Sequence, residues 1–182
     1  MKVKGKRRIA VVGTTGSGKT TLARELARRL GVPHVEIDSL HWGPCWTPAP
    51  PEVLRERVAQ ALNGEGWVTD GNYHVVRDLV WTRASVLVWL DYSLLVVLWR
   101  LTNRTWQRLV DQEELWNGNH ERWGSVFSRD SIHMWLFKTY WRRRGEYPEL
   151  FQRPEYSHLR VVRLRSPQAA QRWLAEFTAR QS

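Results

Sequence analysis

Residues 11–27 read VVGTTGSGKTTLARELA, and the middle of this stretch sets both the fold and the chemistry. Gly13, Gly18, Lys19 and Thr20 fit the pattern G-x-x-x-x-G-K-[ST], a loop whose backbone N–H groups cradle phosphates. The context fits as well. An apolar strand over residues 8–13 precedes the loop. A helix over residues 20–30 follows it, with Leu22, Leu26 and Leu30 on one face and Gly31 as its stop. That helix aims its positive dipole end at the phosphates. On this reading Gly13, Thr14, Thr15, Gly16, Ser17, Gly18, Lys19, Thr20 and Thr21 bind the phosphates of ATP. Lys19 supplies a point charge to the β- and γ-phosphates and stabilises the transferring group, and the Thr20 hydroxyl ligates Mg²⁺.

Outward from the loop, strands and helices alternate. Residues 34–37 read as a second strand, and residues 51–62 as a helix with Leu54, Val58 and Leu62 on its buried side. Residues 67–70 make a third strand, and residues 84–90, ASVLVWL, a fourth that is apolar on both faces, as a central parallel strand requires. Residues 159–164 make a fifth. Ser166 then caps a last helix, with Pro167 at its first position and Ala170, Trp173, Leu174 and Phe177 inward. The alternation indicates an α/β three-layer sandwich, a parallel sheet with helices on both sides. Between the fourth and fifth strands about seventy residues carry no clear strand. Helices are expected over residues 94–110 and 128–144, the second ended by Gly145, around the turn region DQEELWNGNHERWG. Residues 100–150, in round numbers, form a lid inserted in a single domain spanning residues 1–182.

The length suits one core without disulfides, and the lone Cys45 suits a reducing cytoplasm. No apolar run approaches a membrane span, and the basic start MKVKGKRRIAVVG runs into the glycine loop without a cleavage pattern. The net charge is +10, with arginine supplying 23 of the 28 positive side chains. Such a surface suits phosphates, and equally nucleic acid.

Mg²⁺ needs a further carboxylate from a strand end beside the loop. Asp70 in WVTDGNY ends the third strand and is the candidate, with Gly71 letting the chain turn closely past. Asp38 in VEIDSLHW ends the second strand and is placed to orient or deprotonate an acceptor hydroxyl. Glu36 alternates with it on the same strand face, and Asp91 reads as a helix cap as readily as a site residue. His41, Trp42 and Trp46 sit in a proline-rich loop beside the acceptor position, as stacking partners or as a cover for the sheet. Arg100, Arg104 and Arg108 recur every four residues on one helix face, which suits a charge clamp closing over ATP, with Arg104 and Arg108 the best placed. Arg142, Arg143 and Arg144 read as cations complementing a helix end. Arg122 and Arg129 suit either the site or solvent. Trp99, Trp106, Trp116, Trp123, Trp135 and Trp141 read as lid packing rather than a nucleic-acid surface.

These segments resemble a family. GTTGSGKTTLA, IDSLHWGPCWTP, WVTDGNY, RASVLVWLDY, SRDSI, RRRGEYPEL and LRVVRLRSP together resemble the small P-loop kinases of the adenylate and shikimate kinase type. More narrowly they resemble adenylate-kinase-like bacterial proteins often labelled DNA topology modulation proteins. The resemblance implies a five-stranded parallel sheet in the order 2-3-1-4-5, a mobile lid, and an adenine bordered by LRSP, which includes Arg165. DGNY stands where adenylate kinases have Asp-Gly-Phe-Pro-Arg; His74 takes the place of that arginine, and Arg77 or Arg83 is the substitute facing the acceptor. The resulting expectation is an ATP- and Mg²⁺-dependent phosphotransferase acting on a small-molecule acceptor. A nucleic-acid-associated ATPase and a nucleotide-binding switch are the alternatives.

Overall fold

The computed structural model describes residues 7–111, 114–120 and 132–179. At its centre β1 (Arg8–Gly13) pairs in parallel with β3 (Trp67–Asp70) on one side and β4 (Val86–Leu90) on the other. β2 (His34–Glu36) flanks β3. Between β4 and the last strand of the sheet, β5 (Glu114–Leu115) and β6 (Asn119–His120) form a separate antiparallel pair. β7 (Arg160–Leu164) flanks β4, so the sheet order is β2-β3-β1-β4-β7. With β7 as the fifth strand of the sheet, this is the expected order 2-3-1-4-5.

The side-chain alternation of β1 and β4 divides the core. Ile9, Val11, Val86, Val88 and Leu90 face one buried cluster with α1 (Lys19–Leu30), α5 (Leu94–Asp111) and α7 (Pro167–Ala179). Ala10, Val12, Leu87 and Trp89 face the other, with α3 (Pro51–Ala61) and α4 (Arg77–Trp81). Both faces of β1 and β4 are thus covered, as a central parallel pair demands. Ser166 Oγ caps α7 by accepting from Ala169 N at 3.1 Å, as its position before Pro167 predicts.

α6 (Ile132–Phe151) joins the two clusters. Its Leu136 and Tyr140 belong to the first, and its Tyr147 and Leu150 to the second. This corrects the expected stop at Gly145. The helix runs through Gly145 and Pro148, because burial of Tyr147 and Leu150 outweighs the local preference of glycine to end a helix. The arginines at 142–144 therefore lie inside the helix and not at its end. The expected helix start at residue 128, together with Arg122, Trp123 and Arg129, falls outside the described residues.

Two further expectations for the lid change. The turn region holds the β5–β6 hairpin, where Asn117 and Gly118 take φ of 57° and 76°. An Asn-Gly pair supplies both left-handed residues at low strain. Four of the tryptophans are also not its core. Trp99, Trp106, Trp135 and Trp141 are 50–67% exposed, because α5 buries Val97, Leu101 and Thr105, and α6 buries Leu136, Thr139 and Tyr140, on their other sides. No described helix is long and apolar enough to cross a membrane.

Candidate active site

The phosphate loop leaves β1 at Gly13 and enters α1 at Lys19. Gly18 caps the helix with φ 87° and no side-chain cap, so the first-turn N–H groups stay free for an anion. A Cβ at Gly18 would lie 2.8 Å from Arg100 Nη2, so glycine here admits a guanidinium against the loop. Ser17 Oγ is buried without a hydrogen-bond partner among the described residues. Among the described residues Lys19 Nζ donates to Thr14 O alone, at 3.3 Å. Asn72 ties the loop to the segment after β3: its Nδ2 donates to Gly13 O at 2.6 Å, and its Oδ1 accepts from Gly13 N at 3.2 Å.

Asp70 ends β3 as expected and is 2% exposed. Its Oδ2 accepts from the Thr20 hydroxyl at 2.7 Å, and its Oδ1 lies 2.7 Å from His34 Nε2. Gly71 follows with φ 146°, and a Cβ there would come within 3.0 Å of Ile37. Asp38 departs from expectation. β2 stops at Glu36, and Asp38 sits in the first turn of α2 (Ile37–His41), where Ile37 is drawn into the core. Glu36 and Asp38 therefore do not alternate on a strand face. Asp38 still reaches the site, where its Oδ1 accepts from Tyr73 Oη at 2.6 Å. Burial raises the Glu36 carboxyl pKa, and the charge of Asp70 adds to the rise.

The cations gather opposite. The Lys19 ammonium is lowered to about 8: burial is the main cause, the charges of Arg143 and Arg104 add to it, and Asp38 and Asp70 oppose it. Lys19, Asp38, Asp70, Arg104 and Arg143 therefore share one electrostatic neighbourhood. Arg77 stands farther along, donating to Glu146 at 3.0 Å with its guanidinium 5.3 Å from the Trp81 ring centroid. Arg108 lies eight residues beyond Arg100 on α5, about 12 Å along its axis. Arg165 is exposed in the turn between β7 and α7.

Beside Asp38 and Tyr73, aromatic rings and the hairpin form a roof. His41 lies 4.6 Å from both Trp42 and Tyr73, centroid to centroid, and Trp42 lies 5.7 Å from Trp46. Cys45 and Trp46 take left-handed φ of 54° and 57°, a strained conformation for such side chains. The hairpin holds them there. Asn119 Oδ1 accepts from Trp46 N at 2.8 Å, Asn119 Nδ2 donates to Gly43 O at 2.9 Å, and Asn117 Nδ2 donates to Trp42 O. Trp116 stands edge-on to Trp46 at 6.3 Å and hydrogen-bonds Glu36.

His34, Asn72, Arg143 and the hairpin asparagines were not read as site residues. The Asn-Gly pair was a legible hairpin signal. His34 and Arg143 carry no local signal, since strand pairing and helix continuation bring them in.

The donor set fits a nucleotide with Mg²⁺. Among the described residues, first-turn amides with no side-chain cap, a Ser17 hydroxyl with no partner, and a lysine bonded to one carbonyl suit phosphate oxygens. Thr20 and Asp70 would hold the metal. Among the described residues no group of three or more His, Cys, Asp or Glu is placed to bind an ion alone, so phosphate and water oxygens would complete its shell.

A family model described as an AAA domain matches residues 9–172. No curated protein matches the chain. A gluconokinase from Sinorhizobium meliloti 1021 shares the fold with a TM-score of 0.53 and 20% identity, over 97% of this chain and 96% of its own. A shikimate kinase from Bacteroides thetaiotaomicron gives 0.52 and 16%, over 96% and 98%. A sugar kinase from Janibacter sp. HTCC2649 gives 0.51 and 20%, over 93% of each chain. All three are small P-loop kinases, and the likeness is one of fold.

Proposed function

The chain belongs to the AAA-domain family and has the fold of the small P-loop kinases, and from that premise we propose that it is an ATP- and Mg²⁺-dependent phosphotransferase acting on a small acceptor. The observation that carries the proposal is the placing of Asp70 against Thr20 at 2.7 Å at the start of α1, with Asp38 held by Tyr73 at 2.6 Å and the charges of Arg104 and Arg143 acting on Lys19. Phosphoryl transfer needs positive charge around the moving group and a carboxylate beside the attacking hydroxyl.

In this reading residues 13–21 bind the phosphates, and Lys19 stabilises the transferring group. Thr20 and Asp70 hold Mg²⁺, which when bound offsets charge on the β- and γ-phosphate oxygens. Asp38 accepts the proton of the acceptor hydroxyl as its oxygen bonds the γ-phosphorus and the bond to the bridging oxygen of ADP breaks. Tyr73 orients Asp38 through its 2.6 Å hydrogen bond. Arg104 completes the clamp from α5, with Arg108 reaching it on lid closure and Arg165 bordering the adenine. Arg77 faces the acceptor.

The test is ADP release from ATP and Mg²⁺, wild type beside Lys19→Ala, with nucleosides, nucleoside monophosphates, sugars, hydroxy acids and short DNA and RNA. One small compound that accelerates release and emerges phosphorylated supports the kinase. A second reading has its own observation: Trp99, Trp106, Trp135 and Trp141 are exposed on the arginine-rich lid helices. Bases stack on such rings. Release stimulated only by nucleic acid, with steep salt dependence, would replace the kinase by a nucleic-acid-associated ATPase.

A further inference from the structure

Every exposed large apolar side chain among the described residues lies on α5 or α6. On α5 these are Leu95, Trp99, Trp106 and Val110, at steps of four, seven and four residues. Such steps set them in one row, opposite the buried Val97, Leu101 and Thr105. On α6 Met134, Phe137 and Trp141 form a second row opposite Leu136 and Tyr140, with Trp135 beside it. The two helices pack against each other over the same face of the sheet, where Val97, Leu101, Leu136 and Tyr140 enter one cluster. Both rows therefore point outward on the same side of the molecule.

The area is large. The four tryptophans together leave ~600 Å² of ring in water. With the four other side chains the patch reaches the ~800 Å² per partner that a stable interface covers. It exceeds the ~300–600 Å² that is the largest apolar patch of an ordinary monomer.

The charges select what fits on it. Arg100 lies against Gly18 and Arg104 acts on Lys19, so these cations of α5 face the phosphate loop and not the outer row. Thr102 and Asn103, between the tryptophans of that row, carry no charge. Lys138 and Arg142 are exposed at the edge of the α6 row, and Asp111 is exposed at the end of α5. A surface for nucleic acid or anionic lipid sets a row of cations beside its rings. A protein interface instead has an apolar, charge-poor centre rich in aromatic rings and methionine, inside a polar rim. Rows at three- and four-residue steps are also the seam along which helices pack on one another. A second copy supplies the same two rows, and a two-fold pairing of identical faces closes on itself.

We propose that the outer face of α5 and α6 is a homodimer interface, in which two copies pack their apolar rows into a four-helix layer. The inference is independent of the kinase reading, because Leu95, Trp99 and Trp141 are not residues of the proposed site.

Sedimentation velocity of the full chain at physiological salt tests it. The wild type is expected to dimerise with a Kd of about 10 µM or tighter. Trp99→Glu combined with Trp141→Glu places a charge in each row and is expected to weaken the dimer at least ~100-fold. The two rings are 67% and 65% exposed, so the variant keeps the core and the melting temperature of the dilute protein. Leu95→Arg, at a position 79% exposed, repeats the test without altering a ring. Arg172→Glu, exposed on α7, is the control for altered charge and is expected to leave the dimer intact. The melting temperature of the wild type, and not that of the two interface variants, is expected to rise with protein concentration. A chain that stays monomeric at about 100 µM overturns the inference. A dimer that survives both interface variants also overturns it. A monomer that loses binding to single-stranded DNA or to phosphatidylserine vesicles in these variants overturns it and assigns the face to that ligand instead.

Discussion

The Thr20 hydroxyl donates to Asp70 Oδ2 across 2.7 Å, joining the first turn of α1 to the end of β3. His34 stands 2.7 Å from the other carboxylate oxygen, so Asp70 is held from both sides. In the proposed reading, a buried carboxylate fixed in this way would present Thr20 to Mg²⁺ at constant geometry. Asp70→Asn keeps the shape and removes the charge. It is expected to weaken Mg²⁺ by about 10–100-fold, as loss of an outer-shell partner does. A Mg²⁺ titration of ATP turnover checks this. An unmoved midpoint would make the pair structural only.

Lys19 gives a pH dependence whose sign follows from its environment. Burial takes its ammonium from an ordinary 10.5 down to about 8. Between those values the unfolded chain binds a proton that the free folded protein lacks, so stability rises with pH across that window. Below about 8 both forms are protonated, and the full penalty of at most about 3 kcal/mol remains. Lys19→Met is therefore expected to abolish turnover while stabilising the free protein at pH 7. Phosphates favour the charged form, so ATP affinity is expected to fall as pH rises above about 8. Urea unfolding against pH and calorimetric ATP titrations check the two parts.

Where chemistry sits next to its cause in the chain, the sequence was legible. The strands at residues 8–13 and 67–70 match the structure at both ends, because apolar runs stop there at Gly13 and Asp70. Asp38 lies on a different element from the one its sequence pattern indicates. E-I-D reads as strand alternation, but burial of Ile37 against Gly71 turns the chain into a helix. Arg143 lies inside a helix for a non-local reason. Gly145 reads as a helix end, but the packing of Tyr147 against Trp81 and Trp89 carries the helix past it. The tryptophans of α5 show the limit of periodicity. Helical spacing identifies a face without saying whether that face is inside.

The hairpin asparagine makes the lid testable. Asn119 is 3% exposed, with its amide spanning Trp46 N, Gly43 O and Trp116 O. Asn119→Ala leaves those buried groups unsatisfied, at about 1–3 kcal/mol. Among the described residues the two strands of the hairpin pair with each other and not with the main sheet, so the cost falls on local opening and not on global unfolding. The hairpin is expected to open about 10–100-fold more often, with faster amide exchange at Trp46 and a raised acceptor KM. Unchanged exchange at Trp46 would mean that the aromatic loop holds its strained shape alone.

Asp91 carries the opposite expectation to Lys19. Its carboxylate is 2% exposed and accepts from Arg144 Nε at 2.7 Å and from Arg163 Nε at 2.8 Å. The two arginines come from α6 and β7, so one carboxylate pins the helix that carries Arg143 to the edge of the sheet. Asp91→Ala removes the shared counter-charge. Loss of one partner from a buried ion pair costs about 3–5 kcal/mol, and the lower end applies here because the arginines are 33% and 38% exposed and can rehydrate. Equilibrium denaturation is expected to show that loss. Because α6 also positions Arg143, whose charge acts on Lys19, turnover is expected to fall even where the variant is folded. A loss of stability with turnover unchanged would confine Asp91 to the fold and detach α6 from the site.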